Sequence, residues 1–329
     1  MKVLVTGSLG LVGSEAVRFY LEKGDTVMGV DNNMREFFFG SDGSVLGNTI
    51  EHPNYTFSNM DICDSAELFI SFKPDLIIHC AAQPSHDWSA KDPITDFNIN
   101  AFGTLNLLNC CKTFTPDAVF IYVSTNKVYG DHPNKFPLVE KKSRWEIDWP
   151  IYTKGFNEDL SVDQCIHSVF GVSKLAGDMM CQEYGKNFGL KTGIFRCGCI
   201  TGSRHAGAEL HGFLSYVVKC HKENRIYRIY GYQGKQVRDQ IHAYDLVTAF
   251  DAFSKDPKPG EVYNMGGSRH SNISVLEAMS VFNIGYEYHE QPRMGDHIWY
   301  ISDVSKFQKD FPKWKYSYTL ENILNDLIK

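Results

Sequence analysis

The sequence has no long apolar run. No stretch approaches the roughly 18 residues that a membrane-spanning helix needs, so no membrane partner is expected. Positive charge is not in excess: Lys plus Arg total 33 against 39 Asp plus Glu, a formal net charge of −6. Gripping nucleic acid takes a basic face, so nucleic acid is not an expected partner either. The start, MKVLVTG, carries only three consecutive apolar residues before its glycine, too few for a signal-peptide core, and the expected compartment is the cytoplasm. The nine cysteines are odd in number and show no small-domain disulfide framework. Cys110 and Cys111 sit in an apolar helical stretch and read as core. Cys197 and Cys199 form a C-x-C pair with no second pair at zinc spacing, so no metal is expected. Repeats and low-complexity tracts are absent, and the 43% hydrophobic and 22% charged fractions exclude global disorder.

What is present is an alternating pattern. The chain has 329 residues, more than the roughly 250–300 at which one core stops growing, so two lobes are expected. Residues 2–6, KVLVT, form an apolar run of the buried-strand kind, followed by GSLGLVG, an amphipathic helix pattern and a second run ending at Asp31. Strand, glycine turn, helix, strand and terminal acid together predict a dinucleotide site. Gly7, Gly10 and Gly13, with Leu11 and Val12 between them, would bring backbone and a helix N-terminus to a pyrophosphate. Asp31, with Asn32 beside it, would accept hydrogen bonds from the adenosine ribose and would repel a 2′-phosphate, which favours NAD over NADP. Arg35 reads as a solvated loop arginine.

The alternation continues with strand patterns at 55–61, 75–82, 118–125, 191–198 and 261–267, and helix patterns at 102–114, 211–223 and 245–253. Such alternation predicts a doubly wound parallel sheet with ligands at the carboxyl ends of its strands. Asp31, Asp61 with Ile62, Ala81, Ala82 and Gln83, and Ser124–Thr125 fall at those ends and should converge on one crevice. The aromatic triplet in FFFGSDGS (37–44) either covers an adenine or packs on the sheet edge. Residues 132–164 are polar and long for a connection, a length that often marks function.

Phe170 and Lys174, spaced i and i+4 in FGVSK, share one helix face. With HCAA, NINAFGT, STNKVYG, GKQVRDQIHAYD and PRMGD, this layout resembles the extended short-chain dehydrogenase/reductase family, the NAD-dependent epimerases and dehydratases of nucleotide sugars. The resemblance covers nearly the whole chain. It implies an α/β fold with a doubly wound, Rossmann-like parallel sheet and a smaller, discontinuous α/β substrate lobe. It also implies NAD as cofactor, a nucleotide-sugar substrate and a homo-oligomer, dimer or tetramer. The expected division is 1–180 plus roughly 228–265 for NAD, and roughly 181–227 plus 266–329 for the nucleotide sugar. Position by position, Thr125 resembles the family's hydroxyl on the reacting sugar oxygen, and Lys174 its lysine at the nicotinamide ribose. Asn100 resembles a cofactor-pocket asparagine. Arg238 and Arg293 resemble a diphosphate clamp, suited by the planar fork of arginine. Arg204 and Asn126 complete the expected substrate set.

One position departs from the family. Its catalytic tyrosine stands four residues before the lysine, where this chain has Phe170, a side chain that moves no proton. An engineered trap, a natural variant with another proton-transfer group, and a binding protein without catalysis all remain open. Cys199 and His167 are the candidate substitutes, with Tyr152 and Glu158 behind them. His86 and Asp87 read as pocket residues, and His205 and His211 as approaching the base or, for His211 in particular, packing the lobe interface. The acidic pair that the family's 4,6-dehydratases carry after the threonine is replaced by Asn126 and Lys127. STNKVYG, GKQVRD and HAYD are instead similar to the members that act on CDP-sugars at C2. The expected function is therefore NAD-dependent epimerisation. Action at another carbon of a different nucleotide sugar, as epimerase or reductase, and a silent nucleotide sensor are the alternatives.

Overall fold

The computed structural model describes every residue except Leu210 and Met294. The seven expected strands lie in one sheet: β1 (Lys2–Thr6), β2 (Thr26–Asp31), β3 (Tyr55–Asn59), β4 (Leu76–His79), β5 (Val119–Thr125), β6 (Lys191–Cys197) and β7 (Glu261–Met265). Their order is β7-β6-β5-β4-β1-β2-β3, and every pairing is parallel. Both faces are covered over the inner strands, which is why those runs are almost continuously apolar, whereas the edge strand β3 is largely exposed. On one face Val3, Val5, Ile78, Ile121 and Phe195 pack with residues of the helices Leu11–Glu22 and Ala243–Lys255. On the other, Leu4, Ile77, Phe120 and Ile194 pack with the helices Gly103–Phe114 and Val169–Lys186. Cys110 and Cys111 are buried there, as core residues.

A smaller sheet joins Cys199–Thr201, Val237–His242, Asn272–Ser274 and Trp299–Tyr300. It supports a second apolar cluster that includes Val217, Ala278 and Leu324. The expected lobe boundaries shift on two counts. Residues 191–197, assigned to the smaller lobe, are β6 of the large sheet, paired with β5 from Lys191 to Cys197. Residues 237–242, assigned to the large lobe, belong to the smaller sheet through their pairing with 199–201.

The long 132–164 connection is not a lid over a site. It forms a hairpin of Leu138–Glu140 and Trp145–Ile147 and then buries Phe156 and Tyr152 against Trp299 and Tyr300. Tyr152 is thus a core residue, and Glu158 accepts a hydrogen bond from the Asn264 backbone N–H. Neither reaches the crevice, which removes both as proton-transfer candidates. Of the 37–39 aromatics, Phe37 and Phe38 pack on Trp88, each with ring centroids 5.1 Å away, and Phe39 packs on His211 at 5.3 Å.

Phe195 is fully buried, with the rings of Phe250, Phe253 and Tyr263 at 4.9, 5.8 and 5.8 Å. Phe195→Ala removes the centre of this cluster. Urea unfolding should show a loss of about 3–5 kcal/mol; a loss below about 1 kcal/mol would contradict this account of the core.

Candidate functional site

β1 and β4 lie side by side, but the chain leaves β1 toward β2 and leaves β4 toward β5. Connections that diverge in this way open a crevice at the strand ends. A cavity of about 440 Å³ occupies it. Its lining brings together Gly7, Gly10, Leu11, Val12, Gly13, Asp31, Asn32, Asp61, Ile62, Ala81 and Ala82 from the large sheet's strand ends. Thr125, Asn126, Phe170, Lys174, Cys199, Arg238 and Arg293 line the same space.

The glycine turn is a cradle that side chains would fill. Gly7 has φ +67°, and a Cβ there would meet Ala81 N at 2.6 Å; a Cβ on Gly13 would meet Gly7 O at 2.0 Å. Gly10 caps the helix Leu11–Glu22 with no side chain over its first turn. The N–H groups of that turn carry partial positive charge and suit a pyrophosphate. Asp31 is held at the end of β2 by the backbone N–H groups of Leu9 and Asn33, at 3.0 and 2.8 Å. Burial pushes its pKa up, and those hydrogen bonds act in the opposite sense. Asp61 accepts from Cys63 N at 2.9 Å and from Asn32 Nδ2 at 3.2 Å. Donors for phosphates next to acceptors for ribose hydroxyls are the set that NAD requires.

Arg35 is not a solvated loop residue. It donates to Ala206 O at 2.6 Å, lies 3.2 Å from His211 Nδ1, and lines the cavity. Burial lowers its pKa to about 10. His205 and His211 line the cavity as well. His205 Nδ1 meets Ser215 Oγ at 3.1 Å, so both histidines are committed to neighbours.

Four expected residues lie elsewhere. Gln83 and Asn100 are buried behind the cavity wall, where Asn100 accepts from Gln83 N at 2.9 Å and donates to Gln83 O at 3.1 Å. Gln83 Nε2 donates to Asp96 at 2.7 Å, and Ser173 Oγ donates to the same carboxylate at 2.5 Å. This network ties the 81–85 segment to the helix Val169–Lys186. His167 places Nε2 2.7 Å from Val128 O, which fastens the start of that helix to the end of β5's connection instead of facing the cavity. Arg204 pairs with the buried carboxylate of Glu15 and so turns toward the helix Leu11–Glu22.

The chemical end of the cavity is strongly charged. Lys174 donates to Val123 O at 2.8 Å and lies 4.2 Å over the Tyr122 ring. Burial lowers its pKa to about 8. Lys127 donates to Gly295 O at 2.8 Å, and burial likewise lowers its pKa to about 8. Arg238 pairs with Asp296 at 2.5 Å, and Arg293 lies 3.9 Å from Asp87. Burial opposes ionisation of Asp296, but Arg238, Lys127 and Arg293 outweigh it and hold that carboxyl below the usual range. Burial pushes the Cys199 thiol up to about 11, so it is protonated near neutrality and cannot serve as a base. Sequence reasoning missed Asp296 and the cavity positions of Arg35 and Lys127. The acid in PRMGD was the available signal for the first.

Asp31→Ala should weaken NAD binding by about 10–100-fold, the range for a lost hydrogen bond to a charged group, and narrow the preference over NADP. Fluorescence titration with both dinucleotides measures this. Unchanged NAD affinity would remove Asp31 from the ribose site.

Comparison with known proteins agrees with this geometry. The family model of the NAD-dependent epimerase/dehydratase family matches residues 3–266. CDP-paratose 2-epimerase of Salmonella typhi is 32% identical, with 93% of this chain and 92% of that protein covered. dTDP-glucose 4,6-dehydratase of Salmonella typhimurium is 27% identical, over 98% of this chain and 90% of that one. UDP-glucuronic acid 4-epimerase of Bacillus cereus, solved with UDP-glucuronic acid and NAD, superposes with a TM-score of 0.79 at 25% identity, covering 100% of this chain and 98% of that one. A cradle for NAD and a matching family model over most of its length lead to one conclusion: the chain belongs to the NAD-dependent epimerase/dehydratase family.

Proposed function

We propose that the protein is a nucleotide-sugar epimerase, with C2 of a CDP-sugar as the reacting carbon. The observation that carries this reading is the pair Asn126–Lys127, which lines the cavity directly after Thr125 and beside Arg238 and Arg293. Elimination of water across two sugar carbons needs an acid and a base at that place. An amide and an ammonium provide no carboxyl pair, whereas inversion of one hydroxyl-bearing carbon does not need one. The 32% identity to a CDP-paratose 2-epimerase supports the CDP-sugar assignment. The relatives named for UDP- and dTDP-sugars make C4 of another nucleotide sugar the runner-up.

NAD, when bound, supplies a reversible hydride acceptor. The chain's own groups do the remaining work. Thr125 Oγ1 accepts from Lys127 N at 3.2 Å, which fixes the hydroxyl at the strand end where it can donate to the sugar oxygen. Lys174, charged below about pH 8, adds positive potential where that oxygen gains negative charge. Arg238 and Arg293 grip the diphosphate and hold the sugar in place while its two faces exchange. Because the hydride returns, no net redox change occurs.

The residues Ile94, Phe97 and Phe102, and Val172 and Met179 on the adjoining helix, are exposed apolar side chains. Such a patch marks an interaction face, and a second copy of this chain is the proposed occupant. All nine cysteines are unpaired, which fits a reducing compartment such as the cytosol. Analytical ultracentrifugation should give at least twice the 37.4 kDa chain mass, with Val172→Glu shifting it toward monomer; a monomeric parent protein would contradict the assignment.

The function itself is tested by incubating the protein with CDP-paratose or CDP-tyvelose in deuterated water. Proton NMR should show the C2 epimer appear with its C2 hydrogen retained. No epimer, or an epimer whose C2 hydrogen has exchanged for deuterium, would contradict the reading.

A further inference from the structure

Phe170 leaves the site without the phenol that handles the hydroxyl proton in its relatives, and the structure places another ring against it. His86, in the first turn of the helix His86–Lys91, packs on Phe170 with ring centroids 5.0 Å apart at 56°. It lines the same cavity as Thr125 and Lys174. Among the described residues, its buried Nδ1 has no hydrogen-bond partner. We propose that His86 is the proton-transfer group for the sugar hydroxyl, taking over the role that Phe170 cannot perform. This rests on the epimerase reading above and names the residue that completes it.

Among the described residues, the other candidate proton carriers considered for this end are already committed. Lys174 and Lys127 donate to Val123 O and Gly295 O, and as cations neither has a lone pair to offer. Asp296 is paired with Arg238, and the Cys199 thiol holds its proton. His167 faces Val128 O. His86 stands among Lys127, Arg293 and Asp296 from facing segments, with Asp87 next to it on its own helix. Burial first, and then the positive charges of Lys127 and Arg293, lower its pKa to about 3, with Asp296 opposing. The ring is therefore neutral at working pH and has a lone pair for a proton.

The step balances. The O–H bond of the sugar hydroxyl breaks and its proton goes to a ring nitrogen of His86. The O–H electron pair becomes the second carbon–oxygen bond as the carbon gives up its hydrogen as hydride, the acceptor being the NAD of the family activity. Return of the hydride to the other face takes the proton back from the imidazolium. A protonated carbonyl is a far stronger acid than an imidazolium, so even a weakly basic ring accepts the proton as the hydride leaves. The position of His86 is not left to chance. Ser85 caps its helix through Trp88 N at 3.2 Å, and the Gln83–Asp96–Asn100 network holds Ser85 in turn.

His86→Gln should lower kcat by about 10²–10⁴-fold, the worth of a general acid–base group, with KM and NAD affinity changed only a few-fold. Adding Phe170→Tyr to His86→Gln should recover at least about tenfold, because a phenol then stands at the position its relatives use. Should His86→Gln fail to fold, His86→Asn is judged by the same criteria. A second readout does not depend on turnover. In 15N-histidine-labelled protein the His86 ring, assigned by its absence in the variant, should be neutral at pH 7. One nitrogen should shift when NAD and a CDP-sugar are added. Near-parental kcat in the variant, absence of rescue by Phe170→Tyr, or an unmoved His86 resonance would each overturn the proposal. If the parent protein epimerises and His86→Gln does so equally, only this inference fails. If the parent turns over no sugar nucleotide, the epimerase reading fails first.

Discussion

The candidate site depends on the adjacency of β1 and β4, where the chain departs in opposite directions. The two connections cannot fill the space between them, so the strand ends open onto a cavity that no packing closes. The glycine turn after β1 makes that opening usable. Gly7 and Gly13 bring backbone within distances that any Cβ would forbid, and the first turn of the following helix faces the gap. The smaller sheet then sits across the opening. Val237–His242 carries Arg238 into it, and Arg293 and Asp296 join it there.

Burial divides the cavity's ionisable groups into fixed roles. Lysines 174 and 127 keep their protons near neutrality although their pKa values fall to about 8. Asp296 keeps its negative charge because three cations surround it. Cys199 holds its proton, and the His86 ring gives its proton up. A site so arranged has cations for an anionic substrate and one neutral nitrogen beside Phe170.

The fold was legible to an unusual degree because the covered strands of the parallel sheet are apolar runs, from KVLVT to EVYNM, while the exposed edge strand YTFSN is not. Glycine spacing and Asp31 marked the dinucleotide end for a similarly local reason. Long-range packing was much less visible. Phe37 and Phe38 meet Trp88, some 50 residues away in the chain, and Arg35 meets His211, which nothing in FFFGSDGS or its surroundings signals. Gln83 and Asn100 carry the right residue types at the right strand and helix ends, but they are spent on each other and on Asp96, because a buried carboxylate takes whatever donors are near it. His167 is close to Phe170 in sequence yet faces the Val128 carbonyl, while His86, about 80 residues away, touches the ring. Sequence proximity ranks such candidates poorly because ring contacts across a fold are set by the packing of separate helices.

The central claim is that one cavity holds a nicotinamide and a sugar nucleotide in reacting contact. A crystal structure of the protein with NAD and a CDP-sugar tests it most directly. The account predicts the diphosphate of the sugar nucleotide between Arg238 and Arg293, and the reacting sugar carbon about 3–3.5 Å from the nicotinamide C4. A sugar nucleotide bound away from those arginines, or a nicotinamide turned from the sugar, would contradict it.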